Sequence, residues 1–178
     1  MKVFIGGSVS DSIGEEYKKE GEKLVEQILK NNIDVIVCAD LRGMIGLLYT
    51  KMKDKEENKV ILTLPKIYLK YAENIKDEIE IITDTINERT EKSIKEADAC
   101  LFMPGGIGTT YEILSAIETK RAGEHNNKIV LVNSYGFFND FLNMLKNMEK
   151  KGFVSANDEE NFKIVNTVEE AIDYIVAK

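Results

Sequence analysis

The segment Ala99-Cys100-Leu101-Phe102-Met103-Pro104-Gly105-Gly106-Ile107-Gly108-Thr109 decides the fold, because an apolar run passes directly into a glycine-rich turn. A short, continuous apolar run is typical of a strand that is covered on both faces, as in a parallel sheet. A helical pattern follows the turn and continues to about Arg121. The segment therefore predicts a strand–turn–helix unit, the building block of α/β folds.

The same alternation extends outward over the whole chain. Further strands are predicted at residues 2–5, 34–38, 59–64, 80–82, 128–132 and 163–165, and helices at 15–30, 44–52, 84–97, 138–150 and 168–176. The polar stretch 66–79 favours a short helix and a loop, and 80–82 favours an edge strand. We expect an α/β fold, with a Rossmann-like doubly wound, mostly parallel sheet flanked by helices, forming one nucleotide-binding domain over residues 1–178.

Charge and hydropathy restrict the classes of partner. The 24 Lys and Arg residues against 31 Asp and Glu residues give a net charge of −7, which argues against broad binding to nucleic acid or to an anionic membrane. The sequence has no basic leader followed by a long apolar stretch, and no apolar run approaches the roughly 20 residues of a membrane span. We expect a cytoplasmic protein without a nucleic-acid or membrane partner.

Metal and thiol chemistry have little support in the sequence. The two cysteines, Cys38 and Cys100, each lie in an apolar run, and buried, reduced thiols are expected there. The sequence lacks a CxxC motif and has a single histidine, so we predict no zinc site. That histidine, His125, is interpreted as a solvated loop residue rather than a general base.

The glycine loop predicts an anion site. Gly105, Gly106 and Gly108 allow positive φ angles and leave no Cβ in the way of a ligand, and the N–H groups of the loop and of the following helix N-terminus converge on one point. Thr109 and Thr110 add hydroxyl groups. The alternative is a tight turn without a ligand.

Two charged residues near the loop each allow two interpretations. Glu112 completes a Thr109-x-x-Glu112 capping box, or its carboxylate lies beside the sugar of a bound nucleotide, where it stabilises positive charge or activates water. Arg89 lies on the helix face predicted to point to the core. Its guanidinium either reaches the phosphate or sugar, or its stem packs and its head extends to solvent.

Taken together, these residues resemble the PGGxGTxxE signature, with its upstream arginine, of the LONELY GUY (LOG) family. Members of this family are cytokinin-activating nucleoside 5′-monophosphate phosphoribohydrolases. The similarity extends from Val3-Phe4-Ile5-Gly6-Gly7-Ser8 to Asn133-Ser134-Tyr135-Gly136-Phe137-Phe138. Molybdenum-cofactor carrier proteins share the signature. Some relatives are labelled lysine decarboxylase, which the residues of this sequence do not support chemically.

The resemblance implies hydrolysis of the N-glycosidic bond of a purine nucleoside monophosphate similar to AMP, without a metal or a redox cofactor, by a protein that forms homodimers. It implies that Arg89 and Glu112 are the catalytic pair. The residues implied to bind the phosphate and to line its pocket are Gly7, Ser8, Gly105, Gly106, Ile107, Gly108 and Thr109.

The sequence departs from the family pattern at three places. Where the family has a GGGxxGLMG stretch, this sequence has Cys38-Ala39-Asp40-Leu41-Arg42-Gly43-Met44-Ile45-Gly46. Thr90 stands where the family commonly has a lysine, and Lys66 stands where it has an acidic residue. Asp40 and Arg42 are expected to pair, to contact the ligand or to lie exposed. Tyr68, Tyr71 and Tyr111 are candidates for stacking on a base or for packing between subunits. A non-catalytic carrier of a nucleotide or a pterin cofactor is the alternative to the enzyme.

Overall fold

The computed structural model describes residues 1–55, 57–155 and 161–177. In these residues, seven parallel strands form one sheet in the order β4-β3-β2-β1-β5-β6-β7. The strands are β1 (Lys2–Gly6), β2 (Asp34–Cys38), β3 (Val60–Pro65), β4 (Ile79–Thr83), β5 (Ala99–Phe102), β6 (Lys128–Val132) and β7 (Lys163–Val165). The predicted Rossmann-like α/β fold is confirmed, and every described strand pair is parallel.

Helices cover both faces of the sheet. They are α1 (Glu15–Lys30), α2 (Gly43–Met52), α3 (Ile86–Glu96), α4 (Ile107–Arg121), α5 (Asn139–Lys150) and α6 (Val168–Val176). One apolar cluster joins α1, α2 and α6 to the sheet, and a second joins α3 and α4 to the opposite face. Because both faces are buried, the central strands read as continuous apolar runs rather than alternating ones.

The predicted elements agree with the observed ones to within about two residues, apart from one stretch. In the stretch 66–79, two 3₁₀ helices, Lys66–Tyr71 and Glu73–Glu78, precede β4, which begins at Ile79. Strand β4 lies at the edge of the sheet, as predicted. Short 3₁₀ segments lack the 3.6-residue apolar period, which is why the pattern there indicates no regular helix.

The strand order places a topological switch at the centre of the sheet. The chain builds outward from β1 to β4, and then crosses back to pair β5 with the other side of β1. In open parallel sheets, ligands bind beyond the carboxyl ends of the strands at such a reversal. The ends of β1 and β5 therefore mark the position of the site.

The structure refines the predictions for the cysteines and the histidine. Cys100 is buried and Cys38 is half-buried, and both thiols are free. Burial raises the pKa of Cys100 to about 12 and that of Cys38 to about 11, so both thiols are protonated near neutral pH. His125 lies in a loop, as predicted, but its ring is half-buried rather than fully solvated, with Nε2 at 3.1 Å from the Ala116 carbonyl oxygen.

Among the described residues, no helix has both the length and the apolar character needed to cross a bilayer.

Candidate active site

The loops that follow β1 and β5 meet at the carboxyl edge of the sheet. The Ser8 amide donates to the Pro104 carbonyl oxygen at 3.2 Å, and the Thr109 hydroxyl donates to the Gly7 carbonyl oxygen at 3.1 Å. These bonds join segments about a hundred residues apart in the chain. The structure thus brings the predicted Gly7–Ser8 turn and the predicted glycine loop into one site.

The glycines of this loop are not required by positive φ angles, which corrects the sequence-based expectation. None of Gly105, Gly106 and Gly108, all of them described, has a φ in the left-handed region. At Gly105 a Cβ would lie 2.2 Å from the Thr109 hydroxyl oxygen, so packing requires a glycine there. A Cβ at Gly106 or Gly108 would meet no described atom within 4 Å. Neither packing nor backbone conformation explains these two glycines, and open backbone facing solvent is what a ligand needs.

Helix α4 begins directly at this loop. Gly106 is its N-cap, no side chain in the described part of the chain caps it, and the first helical residue, Ile107, is 91% exposed. The first N–H groups of a helix have no partner within the helix and carry a partial positive charge. The start of α4 therefore presents an open anion-binding terminus.

Glu112 and Arg89 form a buried ion pair beside this terminus. Arg89 Nη1 lies 2.7 Å from Glu112 Oε1, and the two side chains are only 7% and 9% exposed. Strand β1 makes room for the carboxylate, because a Cβ at Gly6 would lie 2.6 Å from Glu112 Oε2. Both the capping-box alternative for Glu112 and the solvent-exposed alternative for Arg89 are therefore wrong.

Burial raises the pKa of the Glu112 carboxyl above its ordinary value, and the charge of Arg89 acts in the opposite direction. Low dielectric surroundings disfavour the charged carboxylate, whereas a cation at contact distance favours it. The protonation state of Glu112 therefore depends on how closely Arg89 is held. Strong perturbation by both burial and a specific charge is a feature of functional sites.

Two buried polar atoms on α3 have unfilled hydrogen-bonding capacity. Among the described residues, Arg89 Nη1 and Thr90 Oγ1 are the buried side-chain atoms without a hydrogen-bond partner of acceptable geometry. Arg89 Nη1 nevertheless lies at ion-pair distance, 2.7 Å, from Glu112 Oε1. Native proteins leave few such groups unpaired, and a ligand or an ordered water is an ordinary explanation.

A second contact joins the two helices that carry the pair. The Tyr111 hydroxyl on α4 donates to Asn87 Oδ1 on α3 at 2.8 Å. Tyr111 is a sequence-based candidate for stacking on a base or for packing between subunits, whereas no pattern in the sequence singles out Asn87. A hydrogen bond between residues 24 positions apart leaves no periodic signal in the sequence.

The loop after β2 retains a compact structure despite its departures from the family pattern. The Arg42 guanidinium donates two hydrogen bonds to the Asp40 carboxylate, at 3.0 and 2.8 Å, while the Arg42 side chain remains 65% exposed. Of the three alternatives, the two residues therefore pair, and Arg42 also lies exposed. Gly43 has a φ of +59° and packs against the Ser8–Ser10 backbone, and a Cβ at Gly46 would lie 2.1 Å from the Leu41 backbone. The two glycines that match the family pattern are thus required by the local backbone.

Other surface features lie away from this site. One cleft of about 440 Å³ lies among residues that include Asp34, Tyr49 and Glu78, and another of about 530 Å³ among residues that include Lys66, Ile82 and Lys95. Within residues 1–55, 57–155 and 161–177, no group of three or more His, Cys, Asp or Glu side chains is placed to hold a metal ion. The glycine loop itself is an open surface.

Comparison with known proteins gives the family. A family model described as "Possible lysine decarboxylase" matches residues 44–175. The chain belongs to this family, the LOG family. It is 28% identical over 155 residues to cytokinin riboside 5′-monophosphate phosphoribohydrolase LOG2 of Arabidopsis thaliana, covering 86% of this chain and 71% of the relative. It is 32% identical over 111 residues to the cytokinin riboside 5′-monophosphate phosphoribohydrolase of Mycobacterium tuberculosis, covering 61% and 59%.

Solved structures confirm the fold of this LOG family member. The molybdenum cofactor carrier protein of Chlamydomonas reinhardtii superimposes with a TM-score of 0.69 at 16% identity, covering 98% of this chain and 94% of the carrier. The molybdenum cofactor binding protein of Rippkaea orientalis gives a TM-score of 0.62, also at 16% identity, covering 98% and 93%. At this identity the likeness concerns the fold alone.

Proposed function

We propose that this protein is a nucleoside 5′-monophosphate phosphoribohydrolase that cleaves the N-glycosidic bond of a purine nucleotide to give the free base and ribose 5-phosphate. The observation that carries the proposal is the buried Arg89–Glu112 pair beside the open N-terminus of α4. The names of the relatives in Arabidopsis thaliana and Mycobacterium tuberculosis support the same reaction class.

In this proposal, the phosphate binds at the start of α4. Backbone N–H groups of the loop and of the first helical turn donate to its oxygens, and the exposed, unhindered positions of Gly106 and Gly108 allow close approach. Ser8 and Thr109 line the same pocket, while Gly7 holds Thr109 through its carbonyl oxygen. The ribose is attached to this phosphate, so the binding energy of the phosphate also holds the ribose in a fixed orientation.

Glu112 acts on the anomeric carbon. Cleavage of a glycosidic bond develops positive charge on the sugar, which a nearby carboxylate stabilises. Water adds to the anomeric carbon as the carbon–nitrogen bond breaks, and the base leaves with the bonding electron pair. The water proton passes to the Glu112 carboxylate, the base takes up a proton from solvent, and Glu112 then releases its proton to solvent. Burial favours proton uptake by Glu112, because it raises the pKa of this carboxyl.

Arg89 lowers the pKa of Glu112, which favours the ionised carboxylate, and it supplies donors to the substrate. A guanidinium has five N–H donors in a planar fork, so one side can face the carboxylate while another faces a phosphate or ribose oxygen. The incomplete hydrogen bonding of Arg89 Nη1 fits a group that acquires a partner when substrate binds.

A base-release assay tests the proposal. Pure protein incubated with AMP, GMP, IMP and N6-substituted AMP should release the base and ribose 5-phosphate from at least one of them, detected by chromatography. The ligands should also raise the melting temperature, as any ligand that binds the native state does. Stabilisation without base release from any nucleotide would contradict the enzyme and favour the non-catalytic nucleotide or pterin carrier. If the nucleotides neither raise the melting temperature nor release a base, nucleotide binding itself is contradicted.

The homodimer implied by the family resemblance remains a prediction, and we propose that it covers the outer face of α4. Ile107 is 91% exposed and Leu114 is 43% exposed on this helix, beside the open site. Exposed apolar side chains close to a ligand site are suited to a subunit contact.

A further inference from the structure

The hydrogen bond between Tyr111 and Asn87 lies next to the Arg89–Glu112 pair along both helices. Asn87 precedes Arg89 by two residues on α3, and Tyr111 immediately precedes Glu112 on α4. The bond therefore joins the same two turns of helix as the ion pair does. Unlike the ion pair, it lies at the surface: Asn87 is exposed and Tyr111 is half-buried.

We propose that Tyr111 is a positioning residue, whose hydroxyl holds α4 against α3 so that Glu112 stays in contact with Arg89. The inference rests on the proposed function only in assigning hydrolysis to that pair. The positioning itself is a property of the free protein and can be measured without a substrate.

The N-termini of α3 and α4 are stabilised in different ways, and α4 depends on contacts with neighbouring elements. A capping box, in which Thr85 and Glu88 bond to each other's backbone N–H groups, fixes the first turn of α3. Helix α4 begins at Gly106 without a cap from any described side chain. Its first two turns are instead held from the sides, through the Thr109 hydroxyl to the β1 loop and through the Tyr111 hydroxyl to α3. Removing the Tyr111 contact leaves the terminus anchored toward β1 but not toward Asn87.

The ion pair is sensitive to the spacing of the helices. Glu112 is confined on one side by Gly6, against which its carboxylate packs, whereas Arg89 approaches from α3. Arg89 Nη1 lies 2.7 Å from Glu112 Oε1, and the attraction between two opposite charges weakens as the distance between them grows. A small outward shift of α3 would weaken the interaction of Arg89 with the carboxylate.

Arg89 is the charge that matters for Glu112. The other titratable groups coupled to Glu112 are the thiols of Cys38 on β2 and Cys100 on β5. Burial raises the pKa values of these thiols to about 11 and about 12, so they are neutral near pH 7. Because burial raises the pKa of Glu112 and Arg89 lowers it, any loss of contact with Arg89 must raise it further.

The variant Tyr111→Phe removes the hydroxyl and keeps the ring, and Tyr68→Phe, on an exposed tyrosine of the first 3₁₀ helix, is the matched control. The titration of Glu112 is followed by carboxyl ¹³C NMR in protein labelled at glutamate, with Glu112→Gln to assign the signal. We expect Tyr111→Phe to raise the Glu112 midpoint by roughly half a pH unit, and Tyr68→Phe to leave it in place. Asn87→Ala should give the same shift, and the double variant no additional one.

Kinetic measurements give the second readout. With a nucleotide that the wild type hydrolyses, Tyr111→Phe should lower kcat by roughly three- to tenfold, as expected for one lost hydrogen bond, and move the acid limb of the pH profile upward with a smaller change in KM. An unchanged NMR midpoint in Tyr111→Phe would overturn the positioning role, whether or not the protein is an enzyme. A shifted midpoint in a protein without hydrolase activity would support the positioning role and contradict the proposed function.

Discussion

Three helix starts in this protein carry the same spacing, threonine followed three residues later by glutamate, and only two of them form a capping box. Thr85 with Glu88 opens α3, and Thr167 with Glu170 opens α6; in both, side chain and backbone bond reciprocally. At α4, Thr109 donates to the Gly7 carbonyl oxygen, and the partner of Glu112 is Arg89.

The position of the motif relative to the start of the helix explains the difference. Thr85 and Thr167 are N-cap residues, whereas α4 begins two residues before Thr109, at Ile107. Thr109 therefore lies inside the first turn, and Glu112 inside the second. Helix α4 thus starts early, at the glycine loop, and no described side chain caps its terminal N–H groups. The same spacing therefore caps the N-termini of α3 and α6 but leaves the N-terminus of α4 without a side-chain cap.

The largest expected effect is on the rate of base release, and it distinguishes substitution of Glu112 from substitution of Glu170. Glu112→Gln removes the carboxylate charge from the site and should reduce base release by roughly 10²- to 10⁴-fold, the range for loss of a positioned acid or base. Glu170→Gln alters a helix terminus away from the site and should leave the rate unchanged. Rates are compared at saturating nucleotide after circular dichroism has confirmed folding. Equal rates for Glu112→Gln and wild type would remove Glu112 from the chemistry.

The next effect concerns the pH dependence of stability. Arg89→Met leaves Glu112 buried without its counter-charge, which should cost about 3–5 kcal/mol near neutral pH. Burial already raises the pKa of Glu112 above 4.5, and loss of Arg89 raises it further. The protonated acid is then favoured in the folded state, so the penalty is absent below the unfolded pKa and grows as the pH rises toward the folded pKa.

The measurement for Arg89→Met is the difference in melting temperature from wild type at pH 5 and at pH 8. We expect the larger deficit at pH 8. A deficit of the same size at both pH values would mean that lost packing, rather than the charge of Glu112, accounts for the effect.

A smaller effect tests the open helix terminus. Gly108→Ala places a methyl group where no described atom lies within 4 Å, and alanine favours a helix over glycine by up to about 1 kcal/mol. The variant should be as stable as wild type or more so, yet bind phosphorylated ligands roughly tenfold more weakly if a ligand approaches that backbone. Calorimetric titration with ribose 5-phosphate measures the affinity. Gly123→Ala is a control for the affinity alone, because Gly123 lies in a distant turn with a φ of +81°, where alanine costs stability. Undiminished affinity would place the phosphate elsewhere.

The smallest expected effect is the loss of stability when the N-cap hydroxyl of α6 is removed. Thr167→Ala should lower the free energy of unfolding by about 1 kcal/mol, as loss of an N-cap hydroxyl typically does, with full retention of base release. Urea titration monitored by circular dichroism gives the first quantity. Thr109→Ala removes the hydrogen bond to the Gly7 carbonyl oxygen beside the site. It should therefore weaken nucleotide binding more than Thr167→Ala does.

Most of the fold follows from local patterns. The predicted strands and helices match the observed ones because apolar period and glycine-rich breaks are properties of a few neighbouring residues. The strands at 34–38, 128–132 and 163–165 begin and end where predicted. The exceptions depend on tertiary contacts: residues 66–71 and 73–78 fold as 3₁₀ segments, and the ring of the loop residue His125 is half-buried against α4.

The site was only partly predictable for the same reason. Motif spacing identified Glu112 and the glycine loop, but it could not distinguish a capping box from an ion pair, since the partner lies on another helix. The role of Gly6 in accommodating the carboxylate, and the bond from Tyr111 to Asn87, depend on distances between segments remote in sequence. The expectation of positive φ in the glycine loop was wrong because open space, rather than backbone torsion, distinguishes Gly106 and Gly108.

The pairing of β1 with β5 has a consequence for how the protein folds. Val3 pairs with Ala99, so this register closes a loop of 99 − 3 = 96 residues. Contacts of such separation form late and slow the folding of parallel sheets. Gly6 ends the first of these strands, Ser8 lies in the loop after it, and the glycine loop follows the second strand. Nascent chains should therefore acquire ligand affinity in the final step of folding, after their helical content is largely complete.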